Sequence, residues 1–278
     1  MALAAAMLVA AGLLCLAGCG GQDAGQKEGG SASANANANA NGTGTLRVGV
    51  RADVVGFGYF NERANNYYGL EIDLARELAS RLGYADVEFV TVEPDTRKDM
   101  LLAGEVDCLV ACYSITDTRT ENFDFSPAYY HDRAVIMVEN SSLITDVSDL
   151  ENKTVGIMSG SNTGPLLAIK LQELGMISEI VENADEGTQY DGLYVKQVPS
   201  YAELSRELEE GTVDAAAMDG NITQTYIDED RSILDLNIAD QEYGVATQKG
   251  SALSQPVADA IQSMLDDGTI AALTEKWN

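Results

Sequence analysis

"LLAGEVDCLVACYSITDTR" (residues 101–119) has a shorter counterpart in "LEEGTVDAAAMD" (residues 208–219). Gly104 falls on Gly211 and Asp107 on Asp214, both at an offset of 107 residues. Upstream, "RVGV" (47–50) falls on "TVGI" (154–157) with Gly49 on Gly156, again at 107. One offset shared by separate short matches points to two copies of one structural unit. The intervening residues agree. "LRVGV" is a short apolar run suited to a buried strand. "GLEIDLARELASRLG" sets Leu70, Leu74, Leu78 and Leu82 on one helical face, with Gly83 as the stop. "VEFV" is a strand, "TRKDMLLAG" a short helix ended by Gly104, and "VDCLVA" the next strand. The second half gives "KTVGIM" as a strand and "PLLAIKLQELG" as a helix with Pro165 in its first turn. "SYAE" (200–203) fits a capping box for a helix running to Glu209, and "VDAAAM" matches "VDCLVA". Alternating strands and helices imply an α/β chain with mostly parallel sheets covered on both faces.

The ends of the chain read differently. "ALAAAMLVAAGLLCLAG" (2–18) is uncharged and too short for a spanning helix, which suits a secretory signal at residues 1–18, although no Lys or Arg precedes it. This departure fits either a start lying upstream of Met1 or an export route that tolerates it. The run closes on "LAGC" (16–19), which resembles a bacterial lipobox with Cys19 as the lipidated residue. Residues 19–44 are Gly-, Ser-, Ala- and Asn-rich and predict a disordered tether. A lipid and a tether would hold the folded part at the outer face of the cytoplasmic membrane. From Thr45 onward about 230 residues remain, enough for two lobes.

Seventeen basic residues against 44 acidic ones argue against nucleic acid and against attraction to anionic lipid. Cys108 and Cys112, placed four apart on a predicted strand, lie too far apart for a disulfide and are expected as buried free thiols. His131 is the only histidine, so no metal or cofactor is expected.

In parallel α/β sheets, ligands bind beyond the carboxyl ends of strands. After "VDCLVA" come Cys112, Tyr113, Ser114, Thr116 and Arg119; after "VDAAAM" comes Asp219. One strand end offers a cation and hydroxyls, its counterpart an anion. A small zwitterion complements the pair, with a carboxylate for Arg119 and an ammonium for Asp219. "SGSNTGP" (159–165), between a strand and a helix start, adds backbone N–H groups suited to an anion or to a plain turn.

Together "GLEIDLARELASRLG", "LLAGEVDCLVACYSITDTRTENFDFSPAYY", "GTVDAAAMD", "YGVATQKGS" and "LDDGTIAALTEKWN" resemble the amino-acid-binding proteins of ABC importers. These are family 3 of the extracellular solute-binding proteins, and the likeness spans residues 45–278. It implies a type II periplasmic-binding fold: two doubly wound α/β lobes, residues 45–134 plus 240–278 and residues 135–239. Two hinge crossings join them near 133–138 and 234–241. It implies a free amino acid as ligand, ABC permease subunits as partners and a monomer. By motif, Arg119, Ser114, Ser161 and Thr163 would meet the ligand's α-carboxylate. Asp219, Ser114 and the carbonyl of Cys112 would meet its α-ammonium. Arg51 and Arg97 resemble the basic positions of glutamate and aspartate binders, with Asp132 also recurring there. Phe57 and Tyr59 are candidates for the pocket wall or for packing beneath the loop.

An acidic amino acid is the favoured ligand, with glutamine, cystine or another polar amino acid as alternatives. A sensory subunit binding the same ligand also fits the sequence. An exported arogenate or prephenate dehydratase shares the fold and would need a tuned acid, for which Glu71 and Asp73 are the nearest by sequence. Residues 181–197, acidic and longer than the family's usual connection, carry no assignable role.

Overall fold

The computed structural model describes residues 44–277. The leader, Cys19 and all of the tether except Gly44 lie outside the described residues. Two sheets organise the chain. The first has the order Asp86–Thr91, Thr45–Val50, Cys108–Val110, Ala246–Gln248, Phe123–Phe125. Its first three strands are parallel; Ala246–Gln248 enters antiparallel to both its neighbours. The second sheet centres on the parallel strands Leu193–Val198, Lys153–Met158 and Ala215–Asp219, followed by the antiparallel Tyr130–Glu139 and Arg231–Ile233.

The offset of 107 residues is visible as repeated geometry. Gly104 and Gly211 both take left-handed conformations, φ +72° and +71°, as helix stops. Asp107 accepts from the Arg47 N–H and Asp214 from the Thr154 N–H, each at 2.9 Å. Each aspartate thereby ties the start of its half's central strand to the strand beside it. Gly49 and Gly156 have no room for a side chain. A Cβ would lie 2.7 Å from Leu109 in one half and 2.4 Å from Leu204 in the other.

The helix Leu70–Arg81 buries Leu70, Leu74 and Leu78, as their spacing predicts, and the C-terminal helices Ser254–Asp266 and Thr269–Trp277 pack against it. Trp277 Nε1 and Lys276 Nζ both donate to Asp73. The expected capping box at Ser200 is half formed. Ser200 Oγ accepts from the Glu203 N–H at 3.1 Å, but the Glu203 carboxylate turns to Arg206 one turn on. Residues 181–197 are largely sheet. Ile180–Ala184 and Gly187–Tyr190 form a hairpin on the edge, and Leu193–Val198 inserts beside Lys153–Met158. Leu193 and Val195 are buried and Tyr194 and Lys196 half-buried between and after them, the period-two signal of a strand facing a core, and Val198 closes the strand buried.

Two segments run between the sheets side by side. Tyr130–Ala134 pairs antiparallel with Ala239–Tyr243, and beyond Ala134 the same long strand pairs with Ala216–Asp219. This ladder sets Asp132 opposite Gln241 and Tyr130 opposite Tyr243.

Candidate functional site

The carboxyl ends of the parallel strands of both sheets converge on one cleft. Arg51 follows Thr45–Val50 and is buried, with only 1 % of its surface exposed. One of its amino groups lies 4.0 Å from the sulfur of Met158, the last residue of the second sheet's central strand. Its guanidinium also stands over the Tyr201 ring at 5.7 Å. Gly160 approaches the loop at Pro94 and Asp95 from the other side. A cavity of about 360 Å³ opens between Arg119 and Tyr113 on one wall and Gly160 on the other.

Cys108–Val110 is shorter than the sequence implies. The chain breaks from the strand at Ala111 and Cys112 takes a left-handed conformation, φ +46°. Its N–H donates to Glu71 Oε1 at 2.6 Å, and the Tyr129 hydroxyl donates to the same oxygen at 2.5 Å. Glu71 is fully buried, and burial raises its pKa above the ordinary carboxylate range despite these two bonds. Both cysteines are buried free thiols. Burial pushes the Cys112 thiol far up, and it remains protonated.

Arg119 sits in a short helix, Asp117–Thr120, capped by Thr116. Its guanidinium donates to Ser114 O at 2.8 Å and lies 4.2 Å from the Tyr113 ring centroid. Arg97 packs on the same ring at 4.5 Å and donates to Ala111 O at 2.7 Å. No carboxylate of the described residues lies within 4.0 Å of either arginine. Burial lowers the pKa of Arg119 to about 10, with the neighbouring charge of Arg97 as the next cause; it stays cationic at neutral pH. Arg51 differs. It is paired with Asp53 at 2.7 Å and approaches Glu93 at 3.7 Å.

In the second half, Asp219 ends its strand and is buried. Gln241 Nε2 donates to its Oδ1 at 2.5 Å, and the Tyr243 hydroxyl donates to its Oδ2 at 2.6 Å. Asp132 lies 3.1 Å from the same hydroxyl and accepts from the Asn221 N–H. Ser114 Oγ reaches Gln241 Oε1 at 2.7 Å. No role for Gln241 or Tyr243 is signalled by the sequence; each is one of several polar residues in the strand Ala239–Tyr243. The helix Thr163–Glu173 starts at the cleft, and the first N–H groups of a helix have no partner within it. Thr163 is buried and its hydroxyl has no partner among the described residues.

Arg119, Ser114, Thr163, Asp219, Cys112, Arg51 and Arg97 are thus gathered at the strand ends of the two halves. Ser161 is turned away: both its N–H and its hydroxyl donate to Met158 O, so neither is free for an anion. Phe57 is buried edge-on to Tyr130 and Tyr243. Tyr59 is 39 % exposed on the small sheet formed by residues 53–68, so it packs at the surface rather than in the cleft. Glu71 and Asp73 are both occupied by structural hydrogen bonds, Glu71 beneath Cys112 and Asp73 at the C-terminal helix.

The family model for bacterial extracellular solute-binding proteins, family 3, matches residues 46–278. The ABC transporter glutamine-binding protein GlnH of Bacillus subtilis (strain 168) is 28% identical over 235 residues, 82% of this chain and 79% of that protein. The L-cystine-binding protein TcyJ of Escherichia coli (strain K12) is 29% identical over 243 residues, 84% and 82% of the two chains. An ancestral arginine-binding protein solved with bound arginine superposes with a TM-score of 0.71 at 29% identity, covering 84% of this chain and 98% of its own. The two-sheet architecture is the type II periplasmic-binding fold.

Proposed function

Because the chain belongs to family 3 of the bacterial extracellular solute-binding proteins, we propose that it is the amino-acid-binding component of an ABC importer, with an acidic amino acid as its ligand. In this reading Cys19 carries the lipid anchor and the folded part works outside the cytoplasmic membrane. The lobes are residues 45–134 plus 240–278 and residues 135–239. Arg119 takes the α-carboxylate, assisted by the N–H groups at Thr163. Asp219 and Ser114 take the α-ammonium. Closure of the lobes removes the ligand from water, and a permease reads the closed surface.

The observation that supports the acidic ligand is that Arg97 has no anion beside it. Asp219 has Asp132 nearby, Arg51 has Asp53 and Glu93, and Glu71 is held towards its neutral form by burial. A zwitterion offsets Arg119 and Asp219. Asp53 offsets Arg51. Arg97 is left with backbone carbonyls and a ring but no anion, which favours a second ligand carboxylate. A thermal-shift panel of the twenty amino acids tests the assignment. Glutamate or aspartate should raise the melting temperature most, and Arg97→Ala should weaken glutamate far more than glutamine. Equal losses would remove Arg97 from side-chain recognition. One contact favours a second reading, a neutral polar ligand such as glutamine: the Arg51–Asp53 pair offers a donor beside an acceptor, and Arg51 Nε and Asp53 Oδ1 have no partner among the described residues. In that case glutamine leads the panel and Arg97→Ala leaves it bound.

A further inference from the structure

We propose that Gln241, on the return strand between the lobes, is a positioning residue of the binding site. Its carboxamide spans Ser114 of the first half and Asp219 of the second, and it fixes which face of the Ser114 hydroxyl the ligand meets. This rests on the reading above, in which Ser114 and Asp219 receive the α-ammonium. Gln241 has 4 % of its surface exposed and lies between the two groups, 2.7 Å from Ser114 Oγ and 2.5 Å from Asp219 Oδ1. The chemistry of the three groups permits one arrangement. An ionised Asp219 accepts only, so the amide nitrogen must face it. The amide oxygen then faces Ser114 and can only accept, so the hydroxyl proton is given to Gln241. Asn162 Oδ1, at 3.4 Å, is the weaker alternative for that proton. With its proton committed, Ser114 Oγ presents lone pairs to the cleft. It becomes an acceptor suited to an ammonium and unsuited to a carboxylate. Tyr243 does the corresponding work on the other oxygen of Asp219, to which it donates at 2.6 Å. Both donors come from one strand, Ala239–Tyr243, whose pairing with Tyr130–Ala134 holds their register. The ammonium site is therefore assembled by the connecting strand as well as by the two lobes.

The test uses Gln241→Met, which keeps length and volume and removes both hydrogen bonds, together with Ser114→Ala and the double variant. Calorimetry is run with the strongest binder from a panel of twenty L-amino acids. Gln241→Met should weaken binding by roughly 10- to 100-fold, the loss expected when a charge-assisted hydrogen bond network is broken. The rank order of the amino acids should not change, because the ammonium is common to all. In the Ser114→Ala background the same substitution should cost at least about threefold less. Unchanged affinity in Gln241→Met, or losses that multiply independently in the double variant, would overturn the relay. A residue that only packs between the lobes gives that independent result. Wild-type protein that binds none of the twenty would instead overturn the underlying reading, and the relay with it.

Discussion

Gly160 offers a test of closure that separates affinity from stability. It takes φ +70°, and a Cβ there would lie 2.4 Å from Asp95 N and 2.6 Å from Pro94 C. Those are backbone atoms of the opposite lobe, and they cannot rotate aside. Contact at an ordinary 3.4 Å requires the lobes to part by about 1 Å at this point. Overpacking of this kind costs about 1–3 kcal/mol, and the cost falls only on the state in which the lobes touch. Gly160→Ala should therefore weaken amino-acid binding by about 5- to 150-fold. The left-handed backbone adds about 1–2 kcal/mol for any residue with a Cβ, but that cost is present whether the lobes are together or apart. Gly211 isolates it, having φ +71° and open space where a Cβ would stand, with nothing within 4 Å. Gly211→Ala should lose the same roughly 1–2 kcal/mol of unfolding free energy by urea titration and keep wild-type affinity by calorimetry. The difference between the two variants is the contact between lobes. Equal affinities for Gly160→Ala and Gly211→Ala would refute the argument that closure brings Gly160 onto the Pro94–Asp95 loop.

Two further outcomes follow from the buried charges. Arg119→Ala should cost about 2–5 kcal/mol of binding free energy, as for truncating one partner of a buried, hydrogen-bonded charge pair; unchanged affinity for the best amino acid by calorimetry removes the carboxylate clamp. Glu71 has a folded-state pKa raised by burial, so below its unfolded pKa, about 4.3, its ionisation exacts no penalty. As pH rises from there through the folded pKa, the unfolded chain releases the proton first and stability is lost. Glu71→Gln removes that dependence, so its stability relative to wild type should increase from about pH 4 to pH 7 in urea titrations. A difference that stays constant with pH would show that Glu71 does not titrate as its burial implies.

The halves were legible because their marks are local. A glycine that ends a helix, a glycine crowded by a neighbouring strand and an aspartate that pins a strand start each impose a residue type, and all three recur at one spacing. The placement of Arg119 and Asp219 at or beyond strand ends was legible because each follows a run that the repeat marks as a strand. The partners of these groups were not. Gln241 and Tyr243 reach Asp219 from a strand 22 and 24 residues downstream, and nothing in a single glutamine or tyrosine announces which way it will face. Asp53 is the opposite case. An acid two residues after Arg51 in extended chain shares its side, so the pair that tempers the acidic-ligand reading was available from spacing alone. The local bond of Ser161 was not anticipated: a hydroxyl three residues past Met158 O closes on it within the turn.

A chain of net charge −27 nonetheless keeps three arginines at the cleft, and their surroundings explain how. Arg51 is held by carboxylates at the mouth. Arg97 and Arg119 are held by carbonyl oxygens and by the face of Tyr113, which stabilise a cation without neutralising it. A carboxylate in their place would cancel the attraction that an anionic ligand group needs. Asp219 is treated in the mirrored way, with two neutral donors and no cation within 4.0 Å among the described residues. Both halves thus hold charge that is solvated by dipoles and left open to a partner. A ligand can favour closure only through interactions that the separated lobes do not supply. A zwitterion meeting Arg119 on one side and Asp219 on the other has that property, since each end of it answers one lobe. An anion alone would keep the N–H groups at Thr163 on the second lobe but would leave Asp219 without its partner.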